Sequence, residues 1–461
     1  MSQNVVNTIV ANELCIGCGI CAGICPQNVL LMKFNEYGEY NPYLEKDCLE
    51  RCELCLHVCP FHDNNDNENE LGTSLYGNTK DIKYLSETGY YLDSFVGYSP
   101  DFRQNSASGG MITWLLTTLL RKKLVDFVIT VTVHKEPDKL FQYTVFDDEI
   151  SILTSSGSVY YPVEMSQVIK SILAKPGRYA IVGLPCFLKG LRLATQKNKK
   201  LKERITVTVG LVCGQMKSKH YTVYLSTLAN AGGKLQKVNY RGKSPDKSAS
   251  NYYFHCVNEN GDEGKIFWND GVAEAWVNRW FTPNACNFCD DVFAELADVT
   301  FMDAWLPEYS HDSRGTNLAI MRTLFINDLI LKGNKEKQIN IDKISMKKVI
   351  ESQHGVIDFK QKSLSYRLYM AKTNGLKVPV KRVEMLNKIN FLKRHDIKIK
   401  YEMQKASKDI FTVNYKYNAL NIGVFRYGMQ ICLNKTKIKK FSMMLFACLL
   451  FIHRQFKKIL R

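Results

Sequence analysis

The chain has 461 residues, 45% hydrophobic and 23% charged, with a formal net charge of +17, and this globular mix excludes wholesale disorder. Its longest apolar run, near residues 441–452, is shorter than the about 20 residues that a bilayer span needs, and the opening MSQNVVNTIVANELC lacks the basic head and apolar stretch of a secretory signal. The expected setting is a reducing cytoplasm, where the 15 Cys serve as metal ligands or reactive groups rather than disulfides.

Eight of the cysteines lie before residue 60. Cys15, Cys18, Cys21 and Cys25, followed by Pro26, form C-x2-C-x2-C-x3-C-P. Cys48, Cys52, Cys55 and Cys59, followed by Pro60, form C-x3-C-x2-C-x3-C-P. This is the two-cluster bacterial ferredoxin pattern. A cubane [4Fe–4S] cluster needs four thiolates at the corners of a tetrahedron. A tight loop supplies three, and the fourth must come from the opposite side. The fourth Cys of each run therefore serves the other cluster. One cluster is expected at Cys15, Cys18, Cys21 and Cys59, the second at Cys48, Cys52, Cys55 and Cys25. Gly17, Gly19 and Gly23 let the first loop close around sulfide. The second loop carries Arg51, Glu53 and Leu54 instead, and Glu53 is expected to lower the potential of its cluster. Structural zinc prefers C-x2-C knuckles set far apart, not two four-Cys runs ending in Cys-Pro.

Between the runs, VLLMKFNEYGEYNPYL reads as a hairpin turning at Tyr37-Gly38. Residues 1–62 are thus expected to be a ferredoxin-like βαββαβ two-cluster domain. The polar HDNNDNENE at 62–70 opens a linker over 63–92. Residues 1–80 carry a net charge of −7.

From residue 93 to 325 helices and apolar strands alternate, which predicts a mixed α/β core with a largely parallel sheet. Ser106-Ala107-Ser108-Gly109-Gly110 precedes a helix, MITWLLTTLLRKKL. Such a start can hold an anion on its free N–H groups or be plain capping. Strands are expected at VDFVITVTV, at 179–184 and at 205–212. Helices are expected near 163–173, from Phe187 and from His220. Asn260-Gly261 reads as a hairpin turn. No G-x-G-x-x-G follows a strand, and Gly242-Lys243-Ser244 lacks the upstream glycine of a P-loop. Cys186 and Cys213 each follow a strand, and Cys286 and Cys289 form a C-x2-C pair. Together they have the makings of a third ligand set, although isolated buried cysteines are commonly apolar fillers, the reading given to Cys256, Cys432 and Cys448.

Taken together, these pieces resemble the coenzyme F420 hydrogenase/dehydrogenase beta-subunit family of iron–sulfur flavoproteins. The resemblance is carried by Ser106–Gly110, Gly183-Leu184-Pro185-Cys186, Cys213-Gly214, Arg241-Gly242-Lys243 and Cys286-Asn287-Phe288-Cys289-Asp290 running to Ala297-Asp298. Asp303-Ala304-Trp305 and Asp312…Gly315-Thr316-Asn317 extend it, so that it covers roughly residues 10–325. Met302 stands where the family usually has Gly. The resemblance implies a third [4Fe–4S] cluster at Cys186, Cys213, Cys286 and Cys289. It also implies FAD near the Ser/Gly helix start, with Ser106, Ser108, Gly109, Gly110, Arg241, Lys243 and Asp303 as cofactor-binding candidates. Asp298 and Asp303 are candidates to orient substrate or flavin. The function so implied is that of an iron–sulfur flavoprotein oxidoreductase passing electrons between ferredoxin-type clusters and a flavin site. Its partners are a ferredoxin or reductase and an unidentified substrate. The alternative is a flavin-free electron-transfer or accessory protein in exopolysaccharide or capsule assembly.

The remaining region, 326–461, is expected to be basic and mostly helical. Residues 331–461 carry a net charge of +22. No zinc finger, helix-turn-helix or RNA-binding motif accompanies this charge, so nucleic acid is not expected. The end, KTKIKKFSMMLFACLLFIHRQFKKILR, flanks apolar residues with bases. It fits either peripheral association with the inner membrane face or packing on the protein's own core.

Overall fold

The computed structural model describes residues 3–48, 51–134, 139–155, 157–416 and 421–434. The basic end and Cys448 lie outside the described residues. No helix among the described residues is long and apolar enough to cross a membrane.

The expected hairpin forms: β1 (Leu30–Phe34) pairs antiparallel with β2 (Tyr40–Leu44). Asn35 Oδ1 accepts from the N–H groups of Tyr37 and Glu39, and Gly38 takes a φ of 70° at the turn. The two short helices, Ile20–Gly23 and Leu54–His57, follow their cysteine loops. The two outer strands of a βαββαβ unit are absent among the described residues. A one-turn helix, Val5–Thr8, stands ahead of the first loop, because Asn4 caps it by accepting from Val6 and Asn7.

The stretch expected to be a linker is structured. Asn67 and Glu70 form a capping box, which starts the helix Glu68–Tyr76. A hairpin of β3 (Lys83–Leu85) and β4 (Gly89–Tyr91) follows.

The core is an eight-stranded sheet. Its strands are β5 (Asp93–Tyr98), β6 (Phe127–Val133), β7 (Phe141–Phe146), β8 (Tyr179–Gly183), β9 (Ile205–Leu211), β13 (Val299–Asp303), β14 (Asn317–Met321) and β15 (Asn340–Lys343). The order is β15-β5-β14-β13-β9-β8-β6-β7. Only β13, β9, β8 and β6 run parallel. Both flanks are antiparallel, so the sheet is mixed rather than largely parallel. It also continues past residue 325, since β15 pairs with β5. A second sheet holds β10 (Leu235–Gly242), β11 (Tyr253–Asn258) and β12 (Glu263–Phe267), the last two joined at Asn260-Gly261.

Period-two burial splits the core into two layers. Tyr179 and Ile181 of β8 join one apolar cluster, and Ala180 and Val182 the other. The second layer holds the helices Met111–Arg121 and Leu324–Lys335. The first holds Ser166–Ala174, Pro185–Lys197 and the N-terminal segment. That segment is seated closely. Met165 N–H donates to Cys18 O at 2.9 Å, and a Cβ on Gly19, whose φ is 76°, would collide with Glu164 Oε2.

The tail helix Phe391–Lys416 closes the same layer. Gln404 Nε2 donates to Thr282 O and Pro283 O at 2.8 and 3.1 Å, and its Oε1 accepts from Asn287 Nδ2. Lys408 pairs with Glu39 of the N-terminal hairpin at 3.2 Å. Gln404→Leu would strand two buried carbonyls and an amide. We expect a loss of about 2 kcal/mol, read as a lower apparent Tm in calorimetry of the full chain. An unchanged Tm would show that the helix is not held there.

Candidate metal centres

Among the described residues no three His, Cys, Asp or Glu side chains converge as the ligands of a single ion do. The first cysteine set stands around a cavity instead. Cys15, Cys18, Cys21 and Cys59 line it together with Val5, Ile16, Met32, Val58 and Phe61. Burial pushes the Cys15 and Cys18 thiols up to about 12 and about 11, and those of Cys21 and Cys59 well above the usual range. Four thiolates are stable in so dry a space only around positive charge, which iron supplies. Gly17 N–H already donates to Cys15 Sγ at 3.4 Å.

In the second set, burial raises the Cys55 thiol, and Cys48 and Cys52 add to the effect, so these three lie together. Val5 N–H donates to Cys55 Sγ at 3.4 Å. Cys25 is half-buried beyond the helix Ile20–Gly23.

The third set assembles across the core. Cys186 sits in the first turn of the helix after β8, and Cys213 lies just past β9. Cys286 lies in the turn Asn284–Phe288, directly before Cys289. Burial drives the Cys186 thiol well up, with Cys289, Cys213, Cys286 and then Cys18 adding to it. The four thiols are within electrostatic reach of one another, and Ile20 and Val58 of the first-set segment pack on Gly190 of the helix that carries Cys186. Tyr143, buried, lies within electrostatic reach of both Cys186 and Cys18.

Cations surround this third set, and sequence reasoning missed them. Lys360 Nζ donates to Cys213 O at 3.0 Å and to Asp291 O. Burial opposes its charge, yet Cys289 and Cys213 hold it above the usual range. Arg279 is 5% exposed, and its Nε and Nη2 have no partner among the described residues. Burial lowers Arg279 to about 10 against the pull of Cys286, Cys213 and Cys289. Arg367 is lowered to about 9 by burial and then by Arg279. Both guanidiniums lie over the Phe359 ring, at 4.2 and 4.1 Å. Buried arginine nitrogens without acceptors fit a site that holds a negatively charged cluster of iron, sulfide and four thiolates. Beside Cys289, Asp290 pairs with Lys381 at 2.6 Å and Arg382 at 3.1 Å, and Arg382 also pairs with Glu295 at 2.8 Å.

The flavin candidates are brought together, but their polar groups are engaged. Gly110 caps the helix Met111–Arg121, and Met111 N–H donates to Asn317 Oδ1 at 3.2 Å. A Cβ on Gly109 would meet Asn317 N and Gly97 O at 2.8 Å. Ser108 Oγ donates to Thr316 O at 3.0 Å, and Ser106 faces Thr113 at 3.4 Å. Lys243 Nζ donates to the carbonyls of Arg103, Ser108 and Arg314 at 2.6, 3.0 and 2.6 Å. Burial, followed by Arg241 and Arg103, lowers its ammonium to about 8. Arg241 pairs with Asp303 through bonds of 2.7 and 3.2 Å. Asp298 is elsewhere, bound to Arg192 at 3.2 Å and to Thr208 N–H at 2.7 Å. Met302 packs in an apolar cluster with Leu318 and Val349.

An aromatic wall connects the third set to Arg241. Lys217, beside Cys286, lies over the Trp276 ring at 5.1 Å. Trp276 meets Tyr160 at 4.8 Å. The Arg241 guanidinium, whose Nε is unpartnered among the described residues, lies over Tyr252 at 4.4 Å and Trp305 at 5.4 Å. Flat walls and a cation suit a planar ring that bears carbonyl or anionic groups. The Lys243 loop, by contrast, has its ammonium already committed to three carbonyls.

Family models described as "Coenzyme F420 hydrogenase/dehydrogenase, beta subunit" match residues 95–170 for the N-terminal part and 177–347 for the C-terminal part. A 4Fe-4S dicluster domain model matches residues 14–62. The chain is 24% identical over 310 residues to the coenzyme F420-dependent sulfite reductase of Methanocaldococcus jannaschii, covering 64% of this chain and 43% of that protein. It therefore spans less than half the length of this relative. Over 55 residues it is 40% identical to an uncharacterised ferredoxin of the same organism, 12% of this chain and 70% of that one. A chain in the F420-reducing [NiFe] hydrogenase complex from Methanosarcina barkeri is similar at a TM-score of 0.49 and 17% identity, over 65% of this chain and 98% of that one.

Asp303→Asn would leave the buried Arg241 guanidinium without its counter-charge. We expect a cost on the order of 3 kcal/mol, measured as a lowered apparent Tm. A variant as stable as the parent would show that solvent already screens this pair.

Proposed function

The chain belongs to the coenzyme F420 hydrogenase/dehydrogenase beta-subunit family, and from that premise we propose that it is an iron–sulfur oxidoreductase with three [4Fe–4S] clusters and a flavin-type ring. Cys15, Cys18, Cys21 and Cys59 hold the first cluster, Cys48, Cys52, Cys55 and Cys25 the second, and Cys186, Cys213, Cys286 and Cys289 the third. The observation that supports this reading is the close packing of Ile20 and Val58, which flank the first cysteine set, on Gly190 of the helix that carries Cys186, with Cys18 within electrostatic reach of Cys186.

The half-buried Cys25 and Cys52 offer a redox partner its point of entry. When bound, the ring converts one-electron traffic into hydride-level chemistry. Arg241, fixed by Asp303, presents a cation beside the ring, while Trp276 and Tyr160 keep water away. Lys243 holds the Ser106–Gly110 loop in shape through its three carbonyls. These features suit the ring that FAD and the deazaflavin coenzyme F420 share in outline. The dinucleotide phosphates of FAD find no free cation at Lys243, so no step is assigned to them.

An anaerobically purified sample tests the reading. We expect about twelve irons per chain, four for each cubane, together with a ring chromophore released by heat. Replacing Cys286 and Cys289 by Ser should lower the count to about eight. About eight irons and no chromophore in the wild type would leave a two-cluster carrier and overturn the proposal.

A further inference from the structure

The two cysteine sets that adjoin at Cys18 and Cys186 lie in opposite electrostatic surroundings. The first cavity is lined by apolar side chains. Glu39, itself paired with Lys408, lies within electrostatic reach of Cys15, and Glu164 within reach of Cys18. Around the core set the carboxylates are offset. Asp290 has Lys381, Glu295 has Arg382, and Asp291 lies beside Lys360. Lys217, Arg367 and Arg279 remain; Lys217 donates to the carbonyls of Ala275 and Trp280 and Arg367 to those of Asn287 and Lys360, whereas Arg279 keeps Nε and Nη2 without a partner among the described residues. Arg279 stacks on the Phe359 ring at 4.2 Å, and the next residue, Lys360, donates to Cys213 O at 3.0 Å, so the unpartnered guanidinium is buried at the core set, where Cys286, Cys213 and Cys289 act on its charge.

A reduced cluster carries one more negative charge than an oxidised one. A buried, uncompensated cation therefore favours reduction at its own site, and the low dielectric magnifies the preference. We propose that Arg279 makes the core cysteine set the electron sink of the protein, so that current runs inward from the dicluster domain. The inference rests on the three-cluster reading above. In each step one electron leaves the N-terminal site, which is oxidised by one, and enters the core site, which is reduced by one; no bond forms or breaks. The donor is a low-potential one-electron redox protein. Two such steps and a proton from water supply one hydride equivalent to a ring-type acceptor. The reaction thus consumes a reduced one-electron carrier and yields a reduced hydride carrier.

The test is a dithionite titration of the anaerobic holoprotein followed by electron paramagnetic resonance. The core signal is assigned as the one lost on replacing Cys286 and Cys289 by Ser. In the wild type it should appear at higher potential than the N-terminal pair. Arg279→Gln should lower its midpoint by about 59 mV, a tenfold change in a one-electron equilibrium, and leave the N-terminal signals in place. Arg279→Lys should restore most of the shift. Should Arg279→Gln fail to fold, Arg367→Gln is expected to move the same signal in the same direction, and the wild-type order stands as a separate reading. An unmoved core midpoint in Arg279→Gln, or a core signal below the N-terminal pair, overturns the proposal. About eight irons in the wild type would sink the three-cluster reading instead, and that count is known before any titration begins.

Discussion

The contact between the first cysteine loop and the helix start at Ser166 decides what the rest of the molecule can do. Met165 N–H donates to the Cys18 carbonyl, Gly19 lies flush against Glu164, and Ile169 packs on Gly23. On the other side, Ile20 and Val58 reach Gly190 in the helix that begins with Cys186. Small residues at these points let two backbones approach where side chains would hold them apart. The same approach brings Cys18 within electrostatic reach of Cys186. Electron transfer between sites needs such fixed proximity. A domain on a flexible tether would lose it, whereas here the boundary lies within one shared apolar cluster.

Close packing raises an electrostatic problem, which the surrounding residues solve differently at each site. Thiolates buried among apolar groups repel one another and are stable only when a cation joins them. In the first cavity little else is charged, so iron must supply nearly all the compensation. In the core, Lys360 is opposed by Asp291, whereas Arg279 is buried with two nitrogens unpartnered among the described residues, and such a set suits a negative occupant. The ion pairs of Asp290 and Glu295 with Lys381 and Arg382 then hold the Cys289 loop in place with their own charges cancelled.

Much of this was legible in the sequence where the determinants are local. The early cysteine runs stand out by their short-range spacing, and a 4Fe-4S dicluster domain model matches residues 14–62, where Cys15, Cys18, Cys21 and Cys59 line one cavity. Strands 127–133, 179–183 and 205–211 stand out as apolar runs between helices. The helix Glu68–Tyr76 was hidden because its Asn- and Glu-rich composition resembles a linker, although the Asn67–Glu70 box was there to be read. The antiparallel flank was hidden too, since β5, β14 and β15 come from distant segments that no local pattern relates. The cations around Cys213 could not be found by spacing at all, as Lys360 reaches it across 147 residues. The candidate flavin groups illustrate the opposite failure. Lys243 and Gly109 form the expected neighbourhood, yet they spend their chemistry on the protein's own backbone.

The basic composition of the tail takes on a different meaning in this light. Lys360, Arg367, Lys381 and Arg382 all belong to the region whose positive charge suggested an anionic surface outside the molecule, yet they point inward at the core cysteine set or at the carboxylates beside it. Lys408 does the same for Glu39 on the hairpin, while Gln404 secures the turn that carries Cys286. A region that looked like an appendage therefore completes the packing around the core cysteine set. Much of its charge answers carboxylates buried within, and its long helix joins the N-terminal hairpin to the turn that holds Cys286. Removing it would expose the third set to water, and with it the low dielectric on which the influence of Arg279 depends.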